Sequence, residues 1–186
     1  MAGTRGLARI LGGMLAFYVA LAATAGPARA LEATELAVKA AFLFKFGFFV
    51  EWPTAAFASG DSPINLCIVG DDPFGSVLDE AIKGRKIGDR TIALRRMSSI
   101  SRDSGCHIVY FAGADGARIP ELAALKGSDV LTVTDVRADG GEVGIINFVL
   151  KDNHVRFDID EAAAVSGGLV ISSQLLRVAL DVTPRP

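Results

Sequence analysis

Four carboxylates gather after the first apolar run of the chain: Asp71, Asp72, Asp79 and Glu80. Paired acids can do general acid–base work when their surroundings push their pKa values apart. The competing reading, which we prefer, is a solvated turn in which Asp71 or Asp72 caps the next helix. The stretch Gly70-Asp71-Asp72-Pro73-Phe74-Gly75 is not a phosphate loop, for it has neither Gly-x-Gly-x-x-Gly nor Gly-Lys-Ser/Thr. His107 adjoins Cys106, and a Cys–His couple can activate a thiolate. Neighbours on a strand point to opposite faces, however, so these two side chains diverge. His154 reads as an exposed turn residue. Ser166, Ser172 and Ser173 have no Gly-x-Ser-x-Gly elbow around them. Ser172-Ser173-Gln174 fits a helix end or a packed polar network. No catalytic residue is assigned, and no cofactor is expected. Two cysteines and two histidines without ligand spacing do not make a zinc site either.

The compartment bears on the cysteines. Arg5 and Arg9 precede an apolar run from Ile10 to Ala25, and Ala28-Arg29-Ala30 follows, which is the layout of a secretory signal peptide cleaved after Ala30. An uncleaved anchor is the alternative, but the run is short for a full span. Residues 31–186 then form one domain with a real core. Losing Arg5, Arg9 and Arg29 leaves 16 basic residues against 21 acidic ones, a net charge of −5. An acidic chain with no basic run is a poor ligand for nucleic acid, whose affinity comes mainly from phosphate contacts. Cys67 and Cys106 are either bridged or two buried thiols, and an oxidising compartment favours the bridge.

The elements that would position these residues are legible in part. Thr34 could cap a helix from Glu35 to about Val50, ended by Pro53. It is apolar on most of its surface, and five of the eight residues from Phe42 to Phe49 are phenylalanine. Such a helix is buried, yet a single face cannot bury five aromatics, so a second element or a partner must cover the remainder. Ile64–Val69, Arg90–Met97, Cys106–Gly113 and "DVLTVTDV" read as strands, with helices at Phe74–Ile82 and Arg118–Lys126. Two alternating runs around Lys151-Asp152-Asn153 signal a hairpin. Glu161–Val165 and Leu169–Leu180 read as helices separated by Gly167-Gly168. The fold class is α/β: a three-layer α/β/α domain with a mixed, mostly parallel sheet ending in an antiparallel hairpin.

A binding module suits these features better than an enzyme. Trp52 lies beside Pro53 at a helix end, where an aromatic can stay partly exposed and serve as an interface anchor, and Glu51 could supply a rim charge. A core role for Trp52 weighs about equally. A second reading is a small-molecule receptor with a pocket at the carboxyl ends of the parallel strands, lined by Gly70, Asp71, Phe111, Gly113 and Asp135.

"VKAAFLFKFGFFVEWP" resembles the opening signature of the YfiR family of exported Gram-negative proteins. The similarity continues in order through "INLCIVGDDPFG", "GCHIVYFAG", "GIINFVL…VRFDID…AA" and "SGGLVISSQLLRVA", from about Ala37 to Ala179. It implies a periplasmic regulator that binds and represses the periplasmic sensor domain of an inner-membrane diguanylate cyclase or related sensor protein. An outer-membrane lipoprotein would release it, and a homodimer is a further partner state. Cys67 and Cys106 match the family's first-strand and third-strand cysteine pair. The family's second pair, nearer the C-terminus, has no counterpart here.

Overall fold

The computed structural model describes residues 27–113, 119–136 and 142–185. Two compact units divide the chain, Met1–Ala33 and Thr34–Pro186. Of the first, only the opening of a helix is described, so the signal peptide expected over residues 1–30 otherwise lies outside the described residues. Elements run in the order α1 (Pro27–Phe46), β1 (Val50–Glu51), β2 (Ile64–Val69), α2 (Ser76–Ile82), β3 (Lys86–Ile87), β4 (Arg90–Met97), β5 (Ile108–Phe111), α3 (Ile119–Ala124), β6 (Leu131–Thr134), β7 (Ile146–Lys151), β8 (His154–Asp160), α4 (Glu161–Ser166), β9 (Val170–Ile171), α5 (Ser173–Leu176) and β10 (Val182–Thr183).

Among the described residues the main sheet has eight strands in the order β10-β8-β7-β6-β5-β2-β4-β3. The strands β4, β2, β5, β6 and β7 are mutually parallel. Their order of appearance makes a doubly wound arrangement with its switch point between β2 and β5. Both faces of β2 and β5 are buried, which is why these strands read as unbroken apolar runs. Ile64, Leu66, Ile68, Ile108 and Tyr110 face the larger core, under α1 and α2. Cys67, Val69, Val109 and Phe111 face a smaller core with Leu122 and Leu125. The three-layer α/β/α class follows from these two cores.

The hairpin falls where the alternation placed it. β7 and β8 pair antiparallel up to Lys151↔His154. Asp152 and Asn153 both take positive φ, 51° and 59°, the conformation that a two-residue type I′ turn requires and that Asp and Asn tolerate. The hairpin is not the edge of the sheet, however: β10 adds to β8 in parallel, and β3 adds antiparallel to β4 at the far edge.

Three helix expectations are corrected. α1 starts at Pro27 and passes through Thr34, which therefore does not begin it. At its other end it stops at Phe46 and continues as a 3-10 turn, Gly47–Phe49, into β1. At Gly47 the Ile87 side chain comes so close that an added Cβ would lie 2.4 Å from its Cδ1. Beyond it Val50 is extended and pairs with Ile171. The helix expected over 169–180 is instead β9, a cap at Ser172 whose Oγ accepts from Gln174 N, and the short α5. The β-branched pair Val170-Ile171 finds a strand partner 120 residues earlier in the chain, which outweighs local helical spacing.

Of the five phenylalanines, Phe42, Phe44, Phe46 and Phe49 pack into the larger core and Phe48 is at the surface. Phe42 and Phe46 pack over the hairpin, with Phe46 5.1 Å from Phe157 and 5.7 Å from Phe148, ring centre to ring centre. Phe44 is buried beside Arg85, whereas Phe48 is 51% exposed. Burying each such ring contributes roughly 1.5–3 kcal/mol; the rings are accommodated along one sheet, with the β7–β8 end taking Phe42 and Phe46.

Candidate functional site

Three polar constellations could carry function, each held by the ends of neighbouring strands. The first sits at the carboxyl ends of β5 and β6, where a doubly wound sheet commonly offers a ligand crevice. α1 places Lys39 there. Its ammonium is buried, donates to Asp135 Oδ2 at 2.6 Å, and is also paired with Glu35 one turn back. Burial disfavours the charge, but the two carboxylates more than offset this and hold the Lys39 pKa above its ordinary value. The Tyr110 hydroxyl donates to the same Asp135. Burial first, and then that carboxylate, push the Tyr110 phenol well above its usual range.

The receptor residues proposed from the sequence occupy different places. Asp135 is committed to Lys39 and Tyr110. Phe111 is fully buried in the smaller core, on the opposite face of the sheet from Tyr110. Asp71 is exposed in the turn after β2. Gly70 and Gly113 take positive φ there. The structure therefore does not bring Asp71, Phe111 and Asp135 together around one space.

The acids after β2 form the second constellation. Asp72 Oδ1 accepts from Phe74 N at 2.8 Å, a local turn ahead of the helix; the cap of α2 is Gly75, with no side-chain hydrogen bond, so neither Asp71 nor Asp72 caps it as the sequence suggests. Arg96 at the end of β4 bonds Asp72 Oδ2 and Asp79 Oδ2, both at 2.7 Å. The guanidinium lowers the Asp79 carboxyl below its usual value, and Asp79 first, then Asp72, raise Arg96 in return. Both carboxylates are tied to one shared arginine in an ion-pair network at the surface, an arrangement that fixes the turn after β2.

The third constellation lies at the amino ends of β2 and β5. Cys67 and Cys106 form a disulfide, Cα to Cα 6.0 Å, joining β2 to the segment that enters β5. The adjacent His107 faces away from it. His107 Nδ1 accepts from Asn65 N at 3.0 Å, so Nε2 carries the proton and donates to the Ala56 carbonyl at 3.0 Å. Its ring is stacked on Phe57 at 4.6 Å, Arg90 covers the other face of Phe57 at 3.7 Å, and Trp52 meets the His107 ring edge-on at 6.4 Å. Burial, partly countered by the Ala56 carbonyl, lowers the His107 pKa. The unfolded chain therefore takes up a proton near pH 6.5 that the folded chain resists. Stability is complete above that pH and declines as pH falls from there through the folded-state pKa. In urea titrations between pH 7 and about 5, a His107→Gln variant should show a shallower decline than the parent.

Glu51 belongs to, and Trp52 directly follows, a separate two-stranded ribbon in which β1 pairs antiparallel with β9. In register, Glu51 lies opposite Val170. Glu51 is exposed, Val170 is 54% exposed, and Trp52 is half-buried. The Trp52 Nε1 is shut off from solvent and has no hydrogen-bond partner among the described residues. Sequence reasoning missed Val170 because it read a helix there, and missed Lys39–Asp135 because 96 positions separate them. A lone lysine between Val38 and Ala40 on an apolar helix was the available signal.

Among the described residues, no helix is long and apolar enough to cross a membrane, and no group of three or more His, Cys, Asp or Glu residues is placed to hold a metal ion. No curated protein matches the chain. A family model described as YfiR/HmsC-like matches residues 36–180, from the middle of α1 to the residues just before β10. That span takes in the ribbon and, Glu35 apart, all three constellations, and the chain belongs to the YfiR/HmsC-like family.

Proposed function

We propose that this protein is an exported, non-enzymatic regulator, a single domain of residues 31–186 once a signal peptide of residues 1–30 is removed. It docks on the periplasmic sensor domain of an inner-membrane diguanylate cyclase and holds that sensor in its inactive arrangement. The observation that carries the reading is the exposed surface of the β1–β9 ribbon, where Glu51 and Val170 stand beside the half-buried Trp52. A tryptophan ringed by an aliphatic side chain and one charge is the composition of an interface anchor. Membership of the YfiR/HmsC-like family supports the sensor as the partner. The polar constellations support a scaffold role, since their charged side chains are already paired with one another. Repression then needs only that the regulator bind the inactive sensor more tightly than the active one.

The test joins a binding assay to a cellular one. Deletion should raise cyclic di-GMP, and the purified protein should bind the periplasmic domain of the membrane cyclase encoded beside it. Trp52→Ala should weaken that binding by about 30-fold, equivalent to about 2 kcal/mol. Glu51→Lys, at an exposed position, should slow association without changing the melting temperature. An unchanged nucleotide level together with no cyclase binding would overturn the proposal.

A further inference from the structure

A cleft of about 580 Å³ opens toward the amino-terminal ends of β6 and β7, away from the loops where the sequence pointed. Its volume lies within the range of small-molecule sites, about 300–1,000 Å³. The walls are aliphatic: Leu122 and Leu125 from α3 and the turn after it, Val143 and Ile145 before β7, and Ala162 and Ala163 of α4. Most polar groups of the lining are already engaged. Thr132 Oγ1 accepts from Ile145 N, Ser166 Oγ donates to the Ala163 carbonyl, and Asp160 Oδ1 accepts from Ala163 N.

Glu142 is the exception. Its Oε1 pairs with Lys126 Nζ at 2.8 Å, while Oε2 is shut off from solvent with no hydrogen-bond partner among the described residues. A desolvated carboxylate oxygen without a donor is costly and rare in native proteins. Two carboxylates, Glu142 and Asp160, face one ammonium, Lys126, so the cleft carries a net charge of −1. Its chemistry therefore calls for one positive N–H donor on an aliphatic body. We propose that this cleft binds a protonated organic amine: the Glu142 side chain, 37% exposed, turns its unpaired oxygen into the cleft to accept from the ammonium, and the hydrocarbon part lies against Leu125, Val143 and Ala163. This site is independent of the docking reading, since it uses neither Glu51 nor Trp52.

The experiment is a nuclear magnetic resonance titration of the purified protein with hexylammonium, 1-hexanol and hexanoate. The expected result is saturable binding of hexylammonium, with shifts centred on α3, α4 and residues 142–145. The neutral alcohol should bind about tenfold more weakly, the worth of a hydrogen bond to a charged group, and the acid weaker still. Glu142→Gln should reduce amine affinity about tenfold. Val143→Trp, at a position 44% exposed, should fill the cleft and abolish binding without altering the melting temperature. Three results each overturn the proposal: no saturable shifts with millimolar amine, equal binding of the alcohol, or amine affinity unchanged in both variants. The ligand series runs on the parent protein, so the outcome does not depend on how a variant folds.

Discussion

Replacing both cysteines, Cys67→Ala with Cys106→Ala, should lower unfolding stability by about 4 kcal/mol in denaturant titrations. The bridge closes a loop with a sequence separation of 39 residues. In the chain-entropy model a loop of that size restricts the unfolded ensemble by roughly this amount. Both sulfurs lie in the smaller core, which has few other members: Val69, Val109, Phe111, Leu122, Leu125 and Val130. That face of the sheet therefore has little hydrophobic surplus with which to offset the loss. In a chain of this size the same change corresponds to a melting temperature lower by about 10 °C. The parent in reductant should fall to the level of the double variant. Equal stabilities of parent and variant under oxidising conditions would remove the bridge from the account of the fold.

The second large effect is expected at Lys39. Lys39→Met keeps the length of the side chain and removes the ammonium, leaving Glu35 and Asp135 facing each other over a buried position. Breaking one side of a buried ion pair is strongly destabilising, because an uncompensated charge stays behind. The two carboxylates are about one-third exposed, at 30% and 35%. Solvent screening therefore trims the cost, and we expect about 3 kcal/mol. Adding Asp135→Asn should restore part of the loss, a non-additivity that a double-mutant cycle reads directly. The pH dependence has a definite sign. Lys39 and Tyr110 both have folded-state pKa values above their unfolded ones. Their stabilisation is complete below about pH 10 and is lost as pH rises through the folded values. The parent should thus lose stability in alkali, and Lys39→Met should lose less over the same interval.

What could be read from the sequence divides along physical lines. β2, β5 and β6 were legible because a strand buried on both faces must be a short continuous apolar run, and that property is local, whereas β4, which has no fully buried residue, was legible from Ile92 and Leu94 sharing one face. The β7–β8 hairpin was legible for the same kind of reason: alternation on both sides of Asp152-Asn153 and a turn type those residues accept. β1, β3, β9 and β10 are two residues each; β1 and β9 are defined as strands only by partners about 120 residues away, whereas β3 pairs with β4 across the two-residue turn Gly88-Asp89. No local pattern distinguishes Val170-Ile171 in a ribbon from the same residues in a helix. The site divides in the same way. Glu51 and Trp52 stood out by type, since a tryptophan next to a proline at an element end is visible in one dimension. The Lys39–Asp135 pair and the cleft around Glu142 are made of residues that only the fold brings together, and their individual types are ordinary.

The ribbon has a consequence for the order of events during biogenesis. Val50 must wait for Ile171 before β1 has a partner, a delay of about 120 residues of emerging polypeptide whose closure carries an entropic cost. In the exported protein proposed above, the chain meets the far side of the membrane amino end first, so Trp52 arrives early but acquires its fixed surroundings near the end of translocation. Contacts of such long separation form late and slowly. A truncated or stalled copy would have Trp52 without the strand that frames it. A target that reads this surface would therefore engage only finished molecules, and fragments in the envelope would not compete for it.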